Sequence, residues 1–148
     1  MSKEICISWW NTGLVPPVQS VINKPIDSGK AEKMKSVIFH MMESLPIDVL
    51  ILAEVSKNCN AVLDEIAKEA HMDMILSTEK IGKVNFDVAL FYESNKLDFI
   101  EKENLAPETS FGKKIRCGTR FLFREKITHQ KITIFASHWP SHKSAPNQ

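Results

Sequence analysis

Apolar residues recur along this chain in two rhythms, and the alternation between them predicts most of its elements. Residues 4–10, Glu-Ile-Cys-Ile-Ser-Trp-Trp, are a short β-branched and aromatic run that reads as a strand. Asn11, Thr12 and Gly13 end it, because Asn and Gly favour turns. Residues 12–29 carry Pro16, Pro17, Pro25 and Gly29 and read as a long irregular loop. Over 30–44 the rhythm changes: Met34, Val37, Ile38, Met41 and Met42 recur at three and four, which predicts a helix with one apolar stripe. Ser28 is its expected N-cap and Pro46 its stop. Residues 47–53 are almost continuously apolar, the mark of a strand covered on both faces. A second helix is expected over 58–70, with Val62, Leu63, Ile66 and Ala70 on one face. Short strands follow at about 73–77, 86–92, 97–103, 119–125 and 131–137.

Strand, helix, strand, helix and then a run of strands predict an α/β or α+β layered domain with mixed strand directions. The 148 residues suit a single domain, with neither an internal repeat nor a linker to divide it. Composition changes this picture little: 43% hydrophobic and 25% charged residues are ordinary for a globular chain. A net charge of +1 argues against a sequence-blind polyanion binder. Cys6, Cys59 and Cys117 form no paired motif, so neither a disulfide framework nor a zinc knuckle is expected, and reduced thiols in a cytoplasm are the simple reading. Neither a leader pattern nor a membrane-spanning apolar run is visible.

Three predicted strands end in polar residues: the first at Asn11, the one at 47–53 at Glu54, and the last at His138. Residues just beyond strand ends are held rigidly by the sheet and commonly carry chemistry. A Glu offers the anionic oxygen that a hard cation prefers, an Asn a neutral oxygen, and a His a donor or proton shuttle for a phosphoryl group. Each also has a plain alternative: a turn residue, a solvated carboxylate, a packed surface imidazole. Trp9, Trp10 and Trp139 read as core or rim packing. Between Lys113 and Lys131 seven basic residues stand against one acid, Glu125. Such a stretch suits a phosphate backbone, or equally an edge strand guarded by charge.

Four stretches together resemble the endonuclease/exonuclease/phosphatase superfamily, the deoxyribonuclease-like phosphoesterases. They are Ile-Ser-Trp-Trp-Asn-Thr-Gly-Leu at 7–14, Pro-Ile-Asp-Val-Leu-Ile-Leu-Ala-Glu-Val at 46–55, Phe-Asp-Val-Ala-Leu-Phe-Tyr-Glu-Ser at 86–94, and Ile-Thr-Ile-Phe-Ala-Ser-His-Trp-Pro-Ser-His at 132–142. The resemblance implies a two-layer β-sandwich flanked by helices and a Mg²⁺-dependent phosphodiester or phosphomonoester hydrolase, nuclease-like in character, with Mn²⁺ as a substitute metal. It implies that Glu54 binds the metal, that Asn11 positions the metal or its water, and that His138 binds or protonates the phosphate. Arg120 and Ser141 would contact the substrate phosphate.

The family's glycine-Asp-x-Asn motif and its Asp-His pair do not occur in these residues, so the resemblance covers the first half to two-thirds of such a domain. Those motifs supply the base that aims water, which implies weak or no activity for the chain alone. A sandwich lacking its second sheet would expose the apolar faces of residues 49–53 and 132–135, so the chain reads as cut short. Self-association or pairing with a separate C-terminal piece is then expected. The alternative function is a non-catalytic nucleic-acid-binding or assembly module that keeps the shape. Substrate choice among DNA, RNA, inositol phosphates and lipid head groups stays open.

Overall fold

A computed structural model describes residues 4–15, 25–81 and 84–138. The order is β1 (Ile7–Asn11), α1 (Ser28–Ser44), β2 (Val49–Ala53), α2 (Asn60–Ala70), β3 (Asp73–Ser77), β4 (Lys80–Ile81), β5 (Val84–Asn85), β6 (Val88–Tyr92), β7 (Leu97–Leu105), β8 (Gly118–Glu125) and β9 (Lys131–Ala136). The short β4–β5 hairpin went unforeseen, being only two residues per strand. Residues 16–24 of the expected loop at 12–29 lie outside the described residues, and its last two, Ser28 and Gly29, belong to α1.

Helix α1 starts one residue earlier than Ser28 as cap would require. Asp27 is the N-cap, and its carboxylate accepts from the Lys30 N–H at 2.8 Å. Leu45, which precedes Pro46, is extended and ends the helix, as the proline ring demands of its neighbour. Helix α2 is entered through a single 3-10 turn at Lys57–Cys59, capped by the Ser56 hydroxyl.

The strands make two main sheets. One has the order β1-β2-β6-β3, with β1 and β2 parallel and the other neighbours antiparallel; the second has the order β7-β8-β9 and is antiparallel throughout. Alternation along each central strand then feeds two cores. Leu50 and Leu52 of β2 and Ala89 and Phe91 of β6 meet the helices through Met34, Ile38, Leu63 and Ile66. Val49, Ile51, Val88 and Leu90 point the other way, onto Phe121, Phe123, Ile134 and Ala136 of the second sheet.

This corrects one expectation. The residue 49–53 strand does not show an apolar face to water, because β7–β9 supply a second layer over it and every residue of β2 is buried. Of the 132–135 stretch, Ile134 is buried in that layer and Phe135 is exposed on its outer side.

Candidate active site at one rim of the sandwich

Register brings the candidate residues together. Asn11 closes β1 opposite Ala53, and Ala53 in turn faces Val88 at the start of β6. Glu54 follows Ala53 and Asp87 precedes Val88, so three neighbouring strands deliver Asn11, Glu54 and Asp87 to one rim. The second sheet delivers its share beneath them. Thr119 of β8 pairs with Ala136 of β9, which places Arg116 and His138 just beyond adjacent strand ends.

The backbone there is built for the purpose. Glu54 has φ +59°, left-handed for a non-glycine residue, at a cost of about 1–2 kcal/mol. That conformation lets its carbonyl accept from the Val15 N–H at 2.7 Å, while the Thr12 hydroxyl donates to Ala53 O at 2.9 Å. The turn after β1 is thereby tied to the turn after β2. Strain of this kind concentrates at functional sites. Gly13, with φ +56°, lies in the same turn, and a Cβ there would sit 3.6 Å from Glu54 Oε2.

Hydrogen bonding fixes the orientation of each group. The Gly13 N–H donates to Asn11 Oδ1 at 2.9 Å, so the Asn11 amide nitrogen must face the other way. It donates to Glu54 Oε1 at 3.1 Å and lies 3.4 Å from His138 Nε2. His138 Nδ1 is 2.7 Å from Asp87 Oδ2. A carboxylate only accepts, so Nδ1 carries the proton and the neutral ring presents a lone pair at Nε2. Protonated, Nε2 donates instead, toward Glu54 Oε1 at 3.5 Å. Arg116 holds the other Asp87 oxygen at 2.7 Å and also donates to Asn85 O at 3.0 Å. The Asp87 side chain is 1% exposed and Arg116 10%, whereas Glu54 and His138 keep 17% and 15%. The outer pair is open to solvent, and the inner pair backs it from beneath.

The structure therefore unites Asn11, Glu54 and His138. It adds Asp87 and Arg116, which the sequence did not single out. Asp87 lies in a predicted strand, and Arg116 was one of seven basic residues in its stretch. Arg120 goes elsewhere: it forms ion pairs with Glu101 at 2.7 Å and Glu103 at 3.0 Å on the outer face of the second sheet. Arg116 is the arginine that reaches the rim, because it precedes β8 whereas Arg120 lies within it. Ser141 and Trp139 lie outside the described residues. Lys126 pairs with Asp98, so acids on β7 offset part of the basic stretch. Trp10 packs on the helical core, while Trp9 is half exposed.

The donor set suits a metal only in a limited way. No cluster of three or more His, Cys, Asp or Glu fit to hold an ion occurs among the described residues. Asn11 Oδ1 accepts from the Gly13 N–H on one of its two lone pairs, while its amide nitrogen steadies Glu54. Glu54 alone presents an anionic oxygen, Oε2, free of that amide. Such a donor set fits a cation that keeps most of its water, as Mg²⁺ commonly does.

Comparison with solved structures decides the architecture. The catalytic domain of human Nocturnin with a bound sulfate anion is 15% identical, with a TM-score of 0.60, over 87% of this chain and 48% of that one. D. rerio TDP2 complexed with a single-strand DNA product is 16% identical, with a TM-score of 0.55, over 93% and 46%. An endonuclease/exonuclease/phosphatase family protein from Bacteroides thetaiotaomicron is 19% identical, with a TM-score of 0.59, over 88% and 49%. The fold is that of the endonuclease/exonuclease/phosphatase domains. The chain spans about half the length of these solved structures. No protein-family model and no curated protein matches the sequence. Among the described residues no helix is long and apolar enough to cross a membrane.

Proposed function

We propose that this chain carries the phosphate-handling half of a metal-dependent phosphoester hydrolase, nuclease-like in type. The observation that supports it most is the convergence of Glu54, Asn11, His138 and Asp87 at one rim of this fold. Two of the similar structures hold a sulfate anion and a DNA product, which agrees with a site for phosphate oxygens.

Glu54 would hold Mg²⁺, which when bound polarises a phosphoryl oxygen. Asn11 keeps the Glu54 carboxylate in place through its amide. Asp87 holds His138 with the proton on Nδ1, so Nε2 faces the rim, ready to receive a proton or, once protonated, to donate one to a phosphoryl or leaving oxygen. Arg116 holds the other Asp87 oxygen and places a positive charge behind it. The residues described offer no second carboxylate to aim water, so turnover by the 148-residue chain is expected to be slow.

The test is hydrolysis of bis(p-nitrophenyl) phosphate at high protein concentration with Mg²⁺. Slow release should vanish with EDTA and with Glu54→Gln, and fall about 10²–10⁴-fold with His138→Ala, the usual worth of a positioned acid or base. Release that survives EDTA and Glu54→Gln unchanged overturns the reading.

A further inference from the structure

The approach to His138 is built from two strand ends that lean on each other. Thr119 of β8 pairs with Ala136 of β9, and among the described residues the β8–β9 register stops there. One residue further on, a side chain takes over from the backbone. The Ser137 hydroxyl donates to Cys117 O at 2.6 Å, so the residue before β8 is tied to the residue after β9. The Cys117 N–H donates to Leu105 O of β7 at 2.9 Å, so Cys117 is held from both flanks. Gly118 makes the approach possible. A Cβ there would lie 2.5 Å from Ala136 O and 3.0 Å from Ser137 Cα, so a larger residue would push Ser137 away.

The residues that flank this bond give it meaning. Arg116 precedes Cys117, His138 follows Ser137, and both reach Asp87. Arg116 Nη1 is 2.7 Å from Asp87 Oδ1, and His138 Nδ1 is 2.7 Å from Asp87 Oδ2. Short polar contacts and covalent neighbours therefore close a ring: Ser137, Cys117, Arg116, Asp87, His138 and back to Ser137. Asp87 enters that ring from the first sheet and the other four members from the second. Asp87 fixes which way the imidazole turns. Where the ring stands relative to Asn11 and Glu54 depends on how the backbone carrying it leaves β9.

We propose that Ser137 is a positioning residue for His138. Its bond to Cys117 holds the backbone beyond β9, so that Nδ1 meets Asp87 while Nε2 faces Asn11 and Glu54. Ser137 acts through the imidazole and has no need to touch a substrate. A reactive side chain keeps its geometry when the groups behind it are themselves locked by hydrogen bonds. Without the hydroxyl, Ala136 is the last residue of β9 that pairs with β8, and His138 swings from that point. A displacement of about 1 Å at a reacting group can cost about 10²-fold in rate. The partly buried Ser137 thus does for the backbone of His138 what Asp87 does for its ring.

The test is Ser137→Ala in the full chain, read first without any reaction. Long-range proton–nitrogen NMR of the neutral imidazole, assigned by the signal lost in His138→Ala, reports the tautomer. Nδ1 should carry the proton in the unaltered chain, and the variant should show a mixture of the two tautomers. Only the rate measurement rests on the proposed phosphoester chemistry. With bis(p-nitrophenyl) phosphate and Mg²⁺, kcat should fall about 10–10²-fold at an unchanged KM. Ser137→Thr keeps the hydroxyl and should restore both readouts. Urea unfolding separates a merely structural role, in which the midpoint drops and the tautomer stays. A tautomer unchanged in Ser137→Ala overturns the proposal, whatever the rate does. So does a defect that persists in folded Ser137→Thr. A tautomer that shifts while hydrolysis does not upholds the role of Ser137 and overturns the phosphoester reading instead.

Discussion

Asp87→Asn tests whether the rim is held by a buried charge pair. The substitution keeps shape and removes the charge. Arg116, 10% exposed, then loses its ionic partner and keeps one strong acceptor, Asn85 O at 3.0 Å. Breaking a buried pair by removing one member costs about 3–5 kcal/mol, because the other charge stays buried without compensation. Here the retained carbonyl and the Asn oxygen place the expected loss near the lower end, about 3 kcal/mol. A domain of this kind has about 5–15 kcal/mol in hand, so the variant should still fold. Urea unfolding followed by tryptophan fluorescence should show the midpoint falling by about 1–3 M at an unchanged slope. Arg116→Gln and the double variant complete a cycle, and the coupling should exceed about 1 kcal/mol. A coupling below about 0.5 kcal/mol would refute the claim that this pair carries the rim. Asp87→Asn should also lower hydrolysis as His138→Ala does, since the ring loses the anion that fixes its tautomer.

Gly118→Ala should be strongly destabilising, by about 2–3 kcal/mol in urea unfolding. Its φ is +133° and a Cβ would lie 2.5 Å from Ala136 O, two residues before His138; an ordinary midpoint would contradict the packing described. Partial burial pushes the Glu79 carboxyl up, but bonds from Lys102 and Asn104 outweigh it and hold it below its ordinary value of 4.5. Its contribution is therefore present above pH 4.5 and lost as pH falls through the lowered value. The stability gap between the protein and Glu79→Gln, measured by urea unfolding, should shrink in acid; a gap that widens reverses the sign. Burial pushes the Cys59 thiol up, so it should be alkylated more slowly than the partly exposed Cys6 and Cys117, as peptide mass spectrometry of a timed reaction would show.

Local pattern determined much of this protein. The apolar run at 49–53 required cover on both faces, and the two cores provide it. The polar residues ending three strands pointed to Asn11, Glu54 and His138, because a strand end is a local feature and a charge there is visible in a short window. Tertiary structure decided the rest. Asp87 and Arg116 are 29 residues apart, and Asp87 and His138 are 51 apart. Nothing in either neighbourhood announces the partner; only the order β1-β2-β6 and the stacking of β8–β9 beneath it bring them together. The resemblance implied a two-layer sandwich, but local alternation could not place strands 97–105, 118–125 and 131–136 over β2, since it tells which residues of a strand are buried and not what covers them. Side-chain periodicity follows from backbone geometry within a few residues, whereas sheet order and layer stacking depend on pairings between distant segments.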